Sequence, residues 1–94
     1  MASVYIIYSK KLDRFYVGST KDLPTRIVYH NRKEFKDSFT AKSNDWELFF
    51  SIDSLSITLA KKIENHIKKM KNTTYFENLK KYPQMSEKLI EQFS

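Results

Sequence analysis

Six residues of this chain suit chemistry by type and spacing: Tyr5, Tyr16, Gly18, Arg26, His30 and Glu64. Phenols can orient or relay a proton, a guanidinium presents planar donors to an anion, an imidazole can carry a proton near neutrality, and a carboxylate can hold a hard cation. Gly18 is the only glycine in the chain, and a glycine serves where a side chain cannot be tolerated. There is no Gly-rich phosphate loop, no paired-carboxylate motif at metal spacing and no nucleophile triad. Taken singly, each residue also has a plain structural explanation. A strand tyrosine packs with its hydroxyl at the rim, Gly18 ends a strand, Arg26 is a surface cation, His30 is a partly buried polar group, and Glu64 is the i,i+4 partner of Lys68.

The elements that must position these residues can be read from the same sequence. Val4 to Tyr8 is an unbroken β-branched and aromatic run and Phe15 to Val17 resumes it, so Ser3 to Gly18 is expected to form a β-hairpin around the polar stretch Lys10 to Arg14. An even loop places Tyr5 and Ile7 on one face with Tyr16 and Gly18. Asp22 as cap and Pro24 in the first turn predict a helix over about Leu23 to Lys33, which sets Arg26 and His30 on one face. Glu34 to Asp45 is expected to be an irregular connection pinned by Phe35 and Phe39, and Trp46 to Ile52 a third strand, central or covered on both faces because it is apolar at nearly every position.

From about Ser54 or Ser56 to Lys71 the residues Ile57, Ala60, Ile63, Ile67 and Met70 form an apolar helical stripe. Glu64 falls beside it, in the row of Ala60, whereas most of the lysines point away. Two short helical patterns follow, around Tyr75 to Lys81 and Ser86 to Phe93, broken at Pro83. The expected class is α+β: a three-stranded, mainly antiparallel sheet flanked by helices, in the order β-β-α-β-α-α.

Bulk composition narrows the function without defining it. The 94 residues suit one domain, and a content of 40% hydrophobic and 15% aromatic residues supplies its core. The chain has no cysteine, which excludes a disulfide framework, a thiolate zinc site and a cysteine nucleophile, and points to a cytoplasmic protein. No signal-peptide h-region and no apolar run of membrane-spanning length is present. A formal charge of +6, from 17 Lys and Arg against 11 Asp and Glu, fits a protein that meets a polyanion, although a solvated lysine-rich surface gives the same balance.

In this order and at these spacings the six residues resemble the GIY-YIG nuclease family, over about Ser3 to Lys71. Ser3-Val4-Tyr5 stands at the first signature triplet and Tyr16-Val17-Gly18 at the second, with ten residues between the two tyrosines. Arg26 follows ten positions after Tyr16, His30 four later, and Glu64 lies on the later helix where the family's metal-binding glutamate belongs. Thr40, Lys42 and Trp46-Glu47-Leu48 also look like the small stand-alone members. The departures are Ser3 for glycine, Val4 and Val17 for isoleucine, and Ser19 where excision-repair members carry a lysine. That lysine's role is therefore absent or supplied by another residue, with Lys21 and Lys42 as candidates.

The resemblance implies a nuclease domain over 1–94, with a core of about 3–71 and a helical extension of about 73–94. It implies hydrolysis of DNA phosphodiesters with one Mg²⁺ or Mn²⁺ on Glu64, RNA remaining open, in repair or recombination or on particular DNA structures. Tyr5, Tyr16, Arg26, His30 and Glu64 would be catalytic. Tyr16 would accept the proton of the attacking water, a task for which a phenol of reference pKa about 10 needs acidification or a relay. Gly18 would let the strand backbone approach substrate, and Lys21, Lys42, Lys61, Lys62, Lys68 and Lys69 would contact the nucleic-acid backbone. A protein partner could supply specificity. The alternative is a nucleic-acid-binding module on the same scaffold that is non-catalytic or activated by a partner.

Overall fold

The apolar run at the amino terminus becomes the middle of the sheet. In a computed structural model, which describes residues 1–32, 42–70 and 72–94, strand β1 (Ala2–Ser9) lies between β2 (Arg14–Thr20) and β3 (Trp46–Leu55), antiparallel to both. A central strand is covered on both faces, and Val4, Tyr5, Ile6 and Ile7 are all buried. The hairpin pairs Tyr5 with Gly18 and Ile7 with Tyr16, so the shared face expected from an even loop is present. Asp13 closes the turn at a φ of 51°, a left-handed conformation that Asp tolerates better than most residues.

β3 was expected to be central or covered; it is an edge strand, with Leu48 47% exposed. Its apolar run Leu48-Phe49-Phe50 has a different cause. Between Ile6↔Phe50 and Ile7↔Leu48 the register shifts and skips Phe49, so Phe49 and Phe50 both turn to the same core. A bulge thus produces the consecutive apolar residues that burial on both faces would otherwise require. A second shift between Ala2 and Val4 spans Ser54, whose φ is 62°, and the chain then enters the next helix.

Helices cover both faces. Helix α1 (Leu23–Asn31) begins at Asp22, whose carboxylate accepts from the Thr25 amide at 3.3 Å and the Thr25 hydroxyl at 2.8 Å. It packs Leu23 and Ile27 onto the face carrying Tyr5, Ile7 and Trp46. The opposite face is covered by α2 (Ile57–Met70), α3 (Thr73–Lys81) and α4 (Pro83–Phe93), whose Ala60, Ile63, Ile67, Phe76, Leu79 and Leu89 pack with Val4, Ile6 and Val17. The expected stripe on α2 is buried through Ala60, Ile63 and Ile67, but its ends are not: Ile57 and Met70 are exposed. Pro83, expected as a break, also opens α4, where its missing amide hydrogen costs nothing. Lys33, the expected connection with Phe35, Phe39 and Thr40 up to residue 41, and Lys71 lie outside the described residues.

Two polar clamps fix the parts that carry chemistry. The Asn31 side chain accepts from the Trp46 amide at 2.7 Å and donates to the Trp46 carbonyl at 2.9 Å, docking the end of α1 on the start of β3 as a strand neighbour would. Asp45 accepts from Ser9 at 2.5 Å, from the Lys11 amide at 3.0 Å and from Ser43, tying the hairpin turn to the entry of β3. Hydrogen bonds from Ser43, then Ser9, then the Lys11 amide hold its carboxyl well below the ordinary carboxylate range.

Candidate active site

On the α1 side of the sheet the two signature tyrosines meet His30. The Tyr5 hydroxyl and His30 Nε2 share a hydrogen bond of 2.9 Å, and the Tyr16 ring lies 5.2 Å from the imidazole and 6.5 Å from the Tyr5 ring. Tyr5 is 2% and His30 3% exposed. Burial, reinforced by the positive charge of Arg26, lowers the His30 pKa to about 4. Burial likewise raises the Tyr5 hydroxyl far above its ordinary value; Tyr16 and Glu64 add to this and Arg26 opposes it. At neutral pH the pair is therefore a neutral phenol on a neutral imidazole. Tyr16, by contrast, is half-buried and borders a groove.

The other side of β2 carries the carboxylate. Residues alternate faces along a strand, so Ser19, next to Gly18, points toward α2 and donates to Glu64 Oε1 at 2.5 Å. Lys68 Nζ lies 2.7 Å from Oε2 and Lys61 Nζ 3.8 Å from Oε1. The i,i+4 pairing with Lys68 is thus real, but it describes only part of the residue's setting, because Glu64 is 7% exposed. Burial alone would raise its pKa; hydrogen bonds from Lys68 and Ser19 and the charges of Lys68 and Lys61 outweigh it and hold the carboxyl below its ordinary value.

Both halves meet because β2 is an edge strand. With no further strand beyond it among the described residues, Lys68 reaches from Glu64 on one face to within 5.7 Å of the Tyr16 ring centre on the other. Arg26 lines a groove of about 410 Å³ with Ser19, Thr20, Lys21 and Lys61, and its charge is felt at both Tyr5 and His30. Tyr16, Arg26 and Glu64 therefore stand about one edge of the sheet, with Tyr5 and His30 buried behind Tyr16.

The residues selected for backbone contact divide. Lys21, Lys61 and Lys68 border the site. Lys62 lines a separate depression with Phe93 and Ser94, and Lys69 shares its helical row, roughly 140–160° around α2 from Glu64. Lys42 is exposed just before β3. Gly18 is buried, and the space above it is filled by the Tyr5 phenol: a Cβ would stand 2.6 Å from Tyr5 Cζ and closer still to its oxygen. The close approach that the glycine permits is that of its own cross-strand partner.

Sequence reasoning passed over Ser19 as a partner of Glu64, Lys68 as a link between carboxylate and phenol, and Asn31 as the clamp on α1. Ser19 had a usable signal, since it occupies the face opposite Gly18; the other two depend on contacts between elements distant in the chain.

Among the described residues no cluster of three or more His, Cys, Asp and Glu could hold a metal. Glu64 stands alone as a carboxylate, with lone pairs left after its hydrogen bonds. That donor set fits Mg²⁺ or Mn²⁺, which can be held by one or two carboxylates together with substrate phosphate and water. It does not fit a closed structural site.

A carboxylate with lone pairs to spare, a half-buried phenol and a guanidinium thus stand around a groove with a net positive lining on an α+β fold. The chain belongs to the GIY-YIG family: the model of the GIY-YIG catalytic domain matches residues 1–82 of its 94. Domains of this family are endonucleases that generally act on DNA with divalent metal. No curated protein and no solved structure matches the chain. Among the described residues no helix is long and apolar enough to cross a membrane.

Proposed function

We propose that the chain, acting as one domain over 1–94, is an endonuclease that hydrolyses DNA phosphodiester bonds using one Mg²⁺ or Mn²⁺ held by Glu64. The observation that carries this reading is the convergence of Glu64 from α2, Tyr16 from β2, and Arg26 and His30 from α1 on the edge strand. When bound, the ion supplies a Lewis acid that polarises the phosphate and steadies the leaving oxygen.

The protein's own groups do the rest. Arg26 presents paired N–H donors to the phosphoryl oxygens as negative charge builds on them. Tyr16 takes a proton from the attacking water while passing its own to solvent in the groove it borders, and His30, 5.2 Å from its ring, stays a neutral imidazole because burial and Arg26 disfavour its protonated form. Tyr5, buried and protonated, acts from below as a positioning residue by fixing the imidazole. Ser19 and Lys68 hold the carboxylate of Glu64 in place and ionised, while Lys21 and Lys61 attract the flanking backbone. Cutting at particular DNA structures would suit a role in repair or recombination.

The test is cleavage of labelled duplex, branched and single-stranded DNA in Mg²⁺ or Mn²⁺. Tyr16→Phe and Glu64→Ala are expected to lose at least about 100-fold in rate, with circular dichroism and thermal midpoint retained. If the wild-type protein cuts none of these yet binds them in a salt-dependent way, indifferent to Glu64→Ala, it is a binding module.

A further inference from the structure

A second groove continues the seam between β2 and α2. Glu64 and Ser19 mark the middle of that seam. Toward Thr20 and Ile57 it opens into the groove that holds Arg26, Lys21 and Lys61. Toward Arg14 and Lys68 it opens into another of about 410 Å³, bordered by Arg14, Phe15, Tyr16, Lys68, Thr73 and Phe76. The chemistry of the two differs. The first is lined mostly by cations and hydroxyls, with the Asp22 carboxylate, which caps α1, and Ile57 among them. The second has two phenylalanines packed edge to face at 5.4 Å, with the cations Arg14 and Lys68 at its border, and the Asp13 carboxylate on its rim is engaged by the Tyr8 hydroxyl at 2.7 Å.

We propose that this second groove receives an unpaired nucleobase of the DNA strand being cut, adjacent to the scissile phosphate. The inference rests on the nuclease reading of the site and specifies its substrate. Two residues of the groove, Tyr16 and Lys68, also belong to the catalytic edge, so an occupant sits beside the reacting phosphate. Its volume lies in the range of small-ligand clefts, roughly 300–1,000 Å³. The half-buried rings of Phe15 and Tyr16 offer aromatic surface to any base with little regard to sequence, the buried Phe76 closes the floor beneath them, and the border cations meet the phosphates on either side. A base stacked inside a duplex cannot enter such a groove without leaving the stack. The strand end of a flap, or a junction with unpaired nucleotides, is therefore the substrate class, in preference to continuous duplex.

The test separates this groove from the catalytic claim. Glu64→Ala protein is titrated, by fluorescence anisotropy, with a labelled flap duplex whose junction fixes the register, while a single abasic site is walked through the nucleotides around the junction. One position is expected to lose about tenfold in affinity. Thr73→Trp, at an exposed position beginning α3, fills the groove and should make binding indifferent to that abasic site. Arg14→Ala should weaken all the ligands alike and reduce the salt slope by about one. A flat abasic profile, or a position-dependent loss that survives in Thr73→Trp, overturns the proposal. A flat profile in a protein that cuts DNA removes the groove and leaves the nuclease; a clear abasic position in a protein that never cuts leaves the groove and removes the nuclease.

Discussion

The ring of Tyr5 lies over the Cα of Gly18, its direct partner across the hairpin. One signature triplet thus makes room for the other. The lone glycine is needed because a buried phenol must cross β2 to reach His30 on α1. No backbone freedom is involved, as glycine shows no positive φ here.

Gly18→Ala is accordingly expected to destabilise the protein by about 1–3 kcal/mol, the usual cost of overpacking a core. The methyl group must displace the Tyr5 ring and with it the bond to His30. Tyr5→Phe removes the atom nearest the new methyl, so the double variant should cost less than the sum of the two single ones. Urea unfolding of the four proteins measures this, and strict additivity would show that the Tyr5 hydroxyl and the added methyl do not interact.

Much of the site was legible because it lies on local patterns. The β-branched run, the even hairpin loop, the Asp22–Pro24 start of α1 and the α2 stripe placed Tyr5, Tyr16, Arg26, His30 and Glu64 on their elements. What was not legible depended on pairing between distant elements. The apolar run of β3 gave no sign that it came from a bulge at Phe49 on an edge strand. Which lysines meet the site follows from the rotation of α2 over β2, and Lys61 and Lys62 are neighbours in sequence. The role of Ser19 was legible only in part: its face, opposite that of Gly18, follows from the strand, but its partner is fixed by how α2 packs on β2.

His30 makes stability depend on pH in a definite window. Its pKa falls from about 6.5 in the unfolded chain to about 4 in the folded one. Between these values the unfolded state binds the proton and the folded state resists it, so stability falls as pH drops from about 6.5 to about 4, by up to about 3 kcal/mol, and is flat with respect to this group above that. Asp45 and Glu64, both held below ordinary carboxylate values, lose their stabilising contribution mainly at lower pH. His30→Gln, which can still bond to Tyr5, should flatten the slope. Unfolding free energies at a series of pH values decide it: an unchanged slope in His30→Gln would assign the effect elsewhere.

Lys68 occupies Glu64 Oε2, where a divalent ion must compete with it or share. Lys68→Met should therefore lower the metal concentration for half-maximal cleavage by at least about threefold, the strength of a fully exposed pair being a lower bound for a carboxylate as buried as Glu64. The same change removes the cation beside Tyr16 and should lower the maximal rate, whereas Lys68→Arg restores both. Metal titrations of cleavage separate the two effects. An unchanged or higher metal requirement in Lys68→Met would show that the ammonium does not contend for the carboxylate.

Lys61 and Lys62 provide the sharpest contrast on the surface. Both were candidates for backbone contact, yet Lys61 stands by Glu64 and the Arg26 groove while Lys62 borders Phe93 and Ser94. Lys61→Ala should weaken DNA binding several-fold and lower the slope of log affinity against log salt by about one. Lys62→Ala should change neither, although it removes the same charge from the same helix. Long-range attraction to the net charge would make the two variants alike; a bound backbone following the β2–α2 seam makes them differ. If Lys62→Ala carries the larger loss, DNA lies along α4, and the seam is not its path.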